Sequence, residues 1–154
     1  MGITKNFADD VIKSAVSAFK KRVDDATLFM LQSLGEDLVK YARDSHNYTD
    51  RTGNLTNSIG YVVVHKSQIV YSGISTNMPL AQKGALDTAM AMANRLKDEW
   101  ALIIVAGMNY AAYVEAKGYN VILPAELRAK SDFPAAIQTL TAKVKAKAVE
   151  LFGK

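Results

Sequence analysis

The first 44 residues follow a helical pattern of apolar and polar positions. This spacing predicts an amphipathic helix from about Phe7 to Asp44, whose weakest part, residues 24–27, is compatible with a hinge or with a break between two helices. A continuous helix would be roughly 57 Å long at 1.5 Å per residue. A small domain cannot cover that length, so we expect part of the helix to project or to pack against another copy. The apolar positions of the predicted face are Ile12, Val16, Phe19, Val23, Met30, Leu34, Leu38 and Tyr41.

The stretch from Thr49 to Val64 changes from turn-forming to strand-forming residues. Its first half contains Thr, Asp, Gly and Asn side chains that favour turns. Its second half, from Ile59 to Val64, contains β-branched and aromatic residues that favour a strand. The polar residues from His65 to Ser67 interrupt the pattern before a second predicted strand, Gln68 to Ser72. Together they predict a hairpin with a three-residue turn.

A second helix and a further strand are predicted in the middle of the chain. Pro79 begins a helical pattern that runs to about Asp98, since proline is tolerated in a first helical turn. The apolar face of this helix consists mainly of small residues that allow close packing: Ala81, Ala85, Ala89, Met92 and Leu96. Trp100 to Ala106 is the most apolar run in the chain. Its short length and the following Gly107 predict a strand buried on both faces.

The last third of the chain predicts short elements followed by a long helix. Tyr110 to Ala116 is compatible with a short helix or with an edge strand. Val121 to Leu123 predicts a short strand, and residues 126–130 predict a turn of helix. The final helix is predicted from its capping, proline and glycine signals: Ser131 or Asp132 at its start, Pro134 in its first turn and Gly153 at its end.

These elements predict a single α+β domain spanning residues 1–154. We expect a long N-terminal helix, a small and mainly antiparallel sheet with a hairpin, a middle helix and a C-terminal amphipathic helix. The composition agrees with this class, because 49% hydrophobic and 22% charged residues are ordinary for a soluble globular protein. A net charge of +4 is compatible with contact to DNA or to an acidic partner, but it is too small to predict either.

The sequence lacks the motifs that are typical of several kinds of catalytic and binding site. The chain has no cysteine, which excludes disulfides and thiolate chemistry. Neither His46 nor His65 has a second ligand at metal-binding spacing, and the chain contains no glycine-rich phosphate loop or serine-nucleophile motif. It also has no long apolar segment and no secretory signal. We therefore predict no enzymatic activity, catalytic residue, metal, cofactor, small-molecule substrate or membrane partner.

Two short motifs resemble those of a known family. One is a Thr-Gly-x-Leu-x-x-Ser-Ile pattern leading into a strand: Thr52, Gly53, Leu55, Ser58 and Ile59. The other is a Tyr-Ala-x-Tyr-Val-Glu block: Tyr110, Ala111, Tyr113, Val114 and Glu115. In this order, between a long first helix and a last helix opened by a Pro-Ala pair, they resemble the head–tail joining proteins of long-tailed DNA bacteriophages. These small neck or minor tail components are also called tail-completion proteins.

The resemblance implies a structural virion protein of a phage or prophage, assembled in the cytoplasm of the bacterial host. Such proteins are homo-oligomers, commonly a ring of six copies, that join the tail-tube protein to a head-completion or connector protein. DNA would pass through the ring without sequence readout. The residues implied as subunit or partner contacts are Arg51, Thr52, Asn54, Leu55, Asn57, Tyr110, Tyr113 and Glu115.

The chain departs from the family pattern after Glu115. The family continues with Phe-Gly-Thr, whereas this chain has residues 116–119 as Ala-Lys-Gly-Tyr, and we expect a loop from Gly118 to Phe133. Two other classes of function stay open. The net charge and a lysine-bearing last helix are compatible with a small basic nucleic-acid-binding protein, although acids alternate with the bases. A small enzyme would require a pocket with clustered titratable groups.

Overall fold

The computed structural model describes residues 2–97 and 99–153, with side chains described from residue 9 onward. The predicted α+β class is confirmed, with a long first helix, a small antiparallel sheet, a middle helix and a C-terminal helix. The elements within the described residues are α1 (Gly2–Asp44), α2 (Asn54–Asn57), β1 (Ile59–His65), β2 (Gln68–Ser72), α3 (Pro79–Ala93), β3 (Trp100–Ala106), α4 (Ala111–Ala116) and α5 (Leu123–Phe152).

The first helix is continuous through residues 24–27, the segment where a hinge or break was compatible with the sequence. The Thr27 hydroxyl donates to the Val23 carbonyl at 2.8 Å, which places this half-polar side chain against its own helix. The helix begins at Gly2, earlier than predicted. Its buried face starts only at Thr27 and continues through Leu31, Leu34, Leu38, Val39 and Ala42. Only the last part of α1 therefore packs on the sheet.

The sheet has the order β2-β1-β3, with both pairs antiparallel. β1 is the central strand, and all its residues from Ile59 to Val64 are buried. The predicted strand at residues 100–106 is confirmed as β3, but the expectation that it is buried on both faces was wrong, because β1 occupies the centre and β3 is an edge strand with mostly half-buried residues. The three-residue hairpin turn was also wrong. His65 pairs with Gln68, and a tight turn of two residues with positive φ joins the strands.

The two faces of the sheet pack against different helices. Alternate residues of a strand point to opposite faces, so Tyr61 and Val63 face α1 and α5, whereas Val62 and Val64 face α3. The face of α3 that packs on the sheet consists of four buried alanines: Ala81, Ala85, Ala89 and Ala93. The first three were predicted, but Met92 is exposed, because the helix presents Ala93 to the sheet instead. α3 ends at Ala93, earlier than predicted, since residues 94–97 form a turn and coil. The predicted end itself, Asp98, lies outside the described residues.

Tyr61 is the largest fully buried side chain and links the sheet to α1. Its ring lies between Gly35 of α1 and Gly73, where a Cβ on either glycine would overlap ring atoms. Its hydroxyl donates to Glu36 Oε1 at 2.8 Å. Burial and the neighbouring Glu36 carboxylate raise the pKa of Tyr61 above its usual value, so the hydroxyl stays a donor. These contacts of Tyr61 fix the position at which α1 packs against β1.

The C-terminal region differs most from the sequence-based expectation. The segment from Tyr110 to Ala116 contains a short helix, α4 (Ala111–Ala116), rather than an edge strand. The predicted strand at 121–123 is absent from the described residues, because this segment enters α5. The predicted helix start at Ser131 or Asp132 was wrong as well. α5 begins at Leu123 with a proline in its first turn and continues through Pro134. The expected loop from Gly118 to Phe133 is therefore mostly helix.

α1 and α5 lie antiparallel along each other. The Arg128 guanidinium lies 4.5 Å from the centroid of the Tyr41 ring near the sheet, and at the far end Phe19 meets Phe152 edge to face at 5.6 Å between centroids. We call residues 9–26 of α1 and residues 133–152 of α5 the stalk. None of the described side chains of the stalk is buried. Part of α1 therefore projects away from the sheet, together with the end of α5.

Candidate partner-contact site

The segment between α1 and β1 is a closely hydrogen-bonded loop around one helical turn. The Asp50 carboxylate accepts from the Thr56 backbone N–H at 2.8 Å. Gly53 has φ 74°, a left-handed conformation that glycine adopts without steric cost, and this lets α2 begin at Asn54. Leu55, only 2% exposed, anchors the turn in the core, and the Ser58 hydroxyl donates to its carbonyl at 2.7 Å. The loop is therefore held in place by the contacts of its own residues.

Two titratable groups of this loop are shifted by their surroundings. Burial would raise the pKa of Asp50, but hydrogen bonds from Thr56 and its neighbours outweigh burial, so the pKa lies below its usual value. Burial raises the pKa of Tyr48, whose hydroxyl lies 3.0 Å from Thr56 Oγ1. At neutral pH the loop consequently contains an ionised Asp50 and a neutral Tyr48. Both groups are engaged in holding Thr56.

The second motif lies directly against this loop. A groove of about 450 Å³ is lined by residues 48–52 and Leu55 from the loop, and by Tyr110 and Val114 from the start of α4. The two motifs are about fifty residues apart in the chain, yet both contribute residues to the lining of one groove. Of the predicted contact residues, this groove brings together Arg51, Thr52, Leu55 and Tyr110. Leu55 contributes a buried wall, whereas Arg51 and Tyr110 are exposed.

Glu115 and Tyr113 lie outside this groove. The Glu115 carboxylate accepts from the backbone N–H groups of Ile122, at 2.9 Å, and Leu123, at 2.8 Å. It therefore satisfies free donors at the start of α5, where a negative charge also interacts favourably with the helix dipole. Tyr113 is 64% exposed, with the Lys117 ammonium 5.2 Å from the centroid of its ring. Glu115 thus orients α5, and Tyr113 faces solvent beside the groove.

Asn54 and Asn57 point to a different pocket. They line a polar space of about 430 Å³ together with Arg43, Ser75, Asn77 and Met78. Arg43 donates from Nη2 to the Ile59 carbonyl at 2.7 Å, so this side chain ties the end of α1 to the start of β1. The predicted contact residues of the loop are therefore divided between two pockets, with Arg51, Thr52 and Leu55 in one and Asn54 and Asn57 in the other.

Three residues of these two pockets were not predicted from the sequence as contact residues: Tyr48 and Val114 in the groove, and Arg43 in the polar pocket. Tyr48 directly precedes the turn-rich stretch, and its aromatic ring among polar residues was a usable signal for an anchor. Arg43 lies at the end of a long helical pattern and belongs to no motif, so only the folded position of β1 identifies its role. Val114 belongs to the second motif, but the sequence was compatible with either a helix or a strand there, so the direction of the Val114 side chain could not be predicted.

The groove offers a guanidinium, hydroxyl groups and aromatic rings for polar and stacking contacts. Among the described residues, no group of three or more His, Cys, Asp or Glu side chains is placed to hold a metal ion. None of the described helices combines the length and apolar character needed to cross a membrane. Comparison of the chain with protein-family models, with curated proteins and with solved structures found no match in any of the three.

Proposed function

We propose that this protein is a structural component of the head–tail junction of a long-tailed phage or prophage. In this role, copies form a ring that completes the tail and joins it to the head connector. The observation that carries the proposal is that the two family-like motifs line one groove, to which Thr52 and Leu55 of the first motif and Tyr110 and Val114 of the second contribute.

The groove residues favour binding over catalysis. Arginine and tyrosine are enriched at protein interfaces, because each combines a large contact area with directional hydrogen bonding. The one carboxylate of the loop, Asp50, accepts the Thr56 N–H and so acts in holding the loop. Arg51 and Tyr110 are the exposed groups that remain available to a partner. We assign them as partner contacts.

The stalk supports a role in an assembly. Its outer part exposes branched apolar side chains on α1, with Ile12 61% and Val16 51% exposed. Contiguous apolar surface of this kind is typical of protein contact sites. In a ring, one surface of each subunit meets a different surface of its neighbour, and the stalk and the sheet edges provide such surfaces.

The direct test mixes purified protein with tail tubes and images the tube ends by electron microscopy. We expect the wild type to cap the tubes and to allow connector-bearing heads to join. Arg51→Glu and Tyr110→Ala should fold normally but lose capping, because they change the exposed walls of the groove. Arg95→Glu provides a matched charge reversal on an exposed residue just after α3. It should leave capping intact. Tubes left open by the wild type, or heads that join without it, would overturn the proposal.

The alternative is a small basic nucleic-acid-binding protein. The stalk supports it to a limited extent, because basic residues from both helices occur there: Lys13, Lys20, Lys21, Arg22, Lys143, Lys145 and Lys147. Lys21 pairs with Asp25 at 2.8 Å and Lys147 with Glu150 at 3.0 Å, which reduces the charge available to phosphates. DNA binding with a steep salt dependence, equivalent to several phosphate contacts, would favour this alternative.

A further inference from the structure

The free edge of β3 presents unpaired main-chain groups to solvent. The Gly107 N–H donates to the Ser58 carbonyl at 3.1 Å, which makes these two residues a hydrogen-bonded pair next to the β1–β3 register. Hydrogen-bonded and non-hydrogen-bonded pairs alternate along an antiparallel ladder. The strand residues whose N–H and C=O groups point away from β1 are therefore Trp100, Leu102, Ile104 and Ala106.

Two apolar grooves follow this edge. The larger, about 500 Å³, is lined by three consecutive strand residues, Ile104 to Ala106, with Met92 of α3 and Ala112 of α4 among its walls. Consecutive side chains point to opposite faces of a sheet, so a groove that touches all three runs along the edge itself. A second groove of about 370 Å³ continues along the first half of β3 beside α5.

The opposite edge of the sheet, β2, also lacks a neighbouring strand. The Gly73 N–H donates to the Tyr61 carbonyl at 2.8 Å, so by the same alternation Ser72 directs its main-chain groups away from β1. Val70, which is 45% exposed, lies where the register with β1 shifts at a β-bulge. Edge strands that stay single usually contain charged residues, prolines or bulges, which prevent pairing with another chain. Neither β2 nor β3 contains a charged residue or a proline, and the bulge leaves residues 71 and 72 of β2 in regular register.

We propose that β2 of one copy pairs with the free edge of β3 of the next copy, so that the sheet continues from subunit to subunit. Both strands run antiparallel to β1. They are therefore parallel to each other, and a neighbouring copy in a similar orientation presents β2 parallel to β3. Each copy uses its two edges once, which is a heterologous contact, the type from which closed rings are built when the rotation between neighbours completes a full turn. This inference rests on the proposed ring and names its subunit interface.

The test blocks each edge separately. Val70→Lys places a charge on the exposed side of β2, and Ala112→Lys places a long charged side chain in the groove beside β3. Leu80→Lys is the matched control, because Leu80 on α3 is 87% exposed and belongs to neither edge strand and to neither groove beside β3. Analytical ultracentrifugation up to about 1 mM protein measures association and detects contacts with a dissociation constant of about 1 mM or tighter. Circular dichroism checks that each variant is folded.

We expect the wild type and Leu80→Lys to self-associate, whereas each edge-blocked variant alone is monomeric. An equimolar mixture of the two blocked variants should form a heterodimer and nothing larger, because together they retain one open β2 and one open β3. This complementation also demonstrates that both variants are folded. The result depends on the main-chain edges alone and requires no tail component.

Three outcomes would overturn the proposal. If Val70→Lys alone still forms dimers, β3 pairs with β3. If the mixture of the two variants stays monomeric, the β2–β3 contact is excluded, and if the wild type is monomeric at every concentration tested, self-pairing is excluded. Failure of the phage role is distinguishable. Wild type that associates through its edges but does not cap tail tubes would keep the interface and remove the proposed function.

Discussion

The sheet body and the stalk contain similar proportions of apolar residues but bury them differently. In the body, the central strand from Ile59 to Val64 is buried on both faces, between α1 on one side and α3 on the other. In the stalk, α1 and α5 lie side by side without a third layer, and side chains such as Val16 and Val149 remain more than half exposed. The body buries its apolar side chains within one chain, whereas the stalk leaves many of its own exposed.

This difference separates residues that stabilise the fold from residues available to a partner. Burying apolar surface contributes roughly 25 cal/mol per Å², so the body supplies most of the stability and the stalk little. The two helices that form the stalk are held in place at its base, where Arg128 stacks on Tyr41. The apolar side chains at the far end of the stalk are therefore held in place by contacts at its base, and they contribute little to stability themselves.

The largest expected effect is in the body, at Tyr61. Tyr61→Ala should reduce the free energy of unfolding by about 3–5 kcal/mol, because it leaves a cavity between two glycines that cannot close over it. Guanidinium chloride unfolding, followed by circular dichroism, measures this change. Tyr61→Phe is the control, since it keeps the ring and removes only the bond to Glu36, and it should lose about 1 kcal/mol. If Tyr61→Ala lowers the free energy of unfolding by less than the about 1 kcal/mol expected for Tyr61→Phe, Tyr61 is not the link between α1 and the sheet.

An intermediate effect is expected where the body meets the start of α5. Glu115→Ala should reduce the free energy of unfolding by about 1–2 kcal/mol, because the N–H groups of Ile122 and Leu123 lose their acceptor. Glu115→Gln keeps one acceptor oxygen and should lose less. Amide hydrogen exchange provides the local measurement, with faster exchange expected at residues 122–126. Unchanged exchange there in the Ala variant would rule out the capping role.

The cap also explains why the start of α5 was mispredicted. Proline in the first turn and a capping side chain just before it are the usual start signals, and Ser131, Asp132 and Pro134 supply both. The actual cap is Glu115, which reaches the helix from another element and is invisible to local sequence patterns. Packing along α1 then maintains the helix through Pro134, where the missing N–H removes only one backbone hydrogen bond.

Periodicity predicted the existence of the long helices because each spans several turns. The α+β class, the helical pattern of α1 and three of the alanines of the α3 face follow from such repeats, whereas the continuity of α1 through residues 24–27 was left open. Strand position in the sheet did not follow, because an apolar run such as Trp100 to Ala106 looks the same in an edge strand with helices over its faces as in a central strand. For the site, the two motifs were identifiable, but their shared groove and the separate pocket at Asn54 depend on the tertiary fold.

A smaller effect is expected at Asp50 and depends on pH. Its folded-state pKa is lowered, so the carboxylate stabilises the fold above its unfolded pKa, and this contribution is lost as pH falls through the folded value, below pH 3.8. Asp50→Ala should therefore be less stable than wild type by about 1 kcal/mol at neutral pH. The difference should shrink in acid. Asp50→Asn keeps an acceptor for Thr56 and should recover most of the loss.

Thermal unfolding across pH measures this dependence. Asp9→Ala, on the exposed stalk, is the matched control and should unfold in parallel with wild type at every pH. A constant difference between Asp50→Ala and wild type down to strongly acidic pH would mean that the Asp50 charge is not the stabilising group.

The smallest effect on stability is expected in the stalk, at Val16. Val16→Ser removes an apolar side chain that is already 51% exposed, so the free energy of unfolding should change by less than about 0.5 kcal/mol. Amide exchange should likewise be faster for residues 9–26 than for residues 31–42, because the former lack a covering layer. If Val16→Ser instead destabilises the isolated chain as much as a core substitution, the stalk is buried in solution by another copy. The contrast between a self-sufficient body and an uncovered stalk would then apply to the single chain and not to the assembled protein.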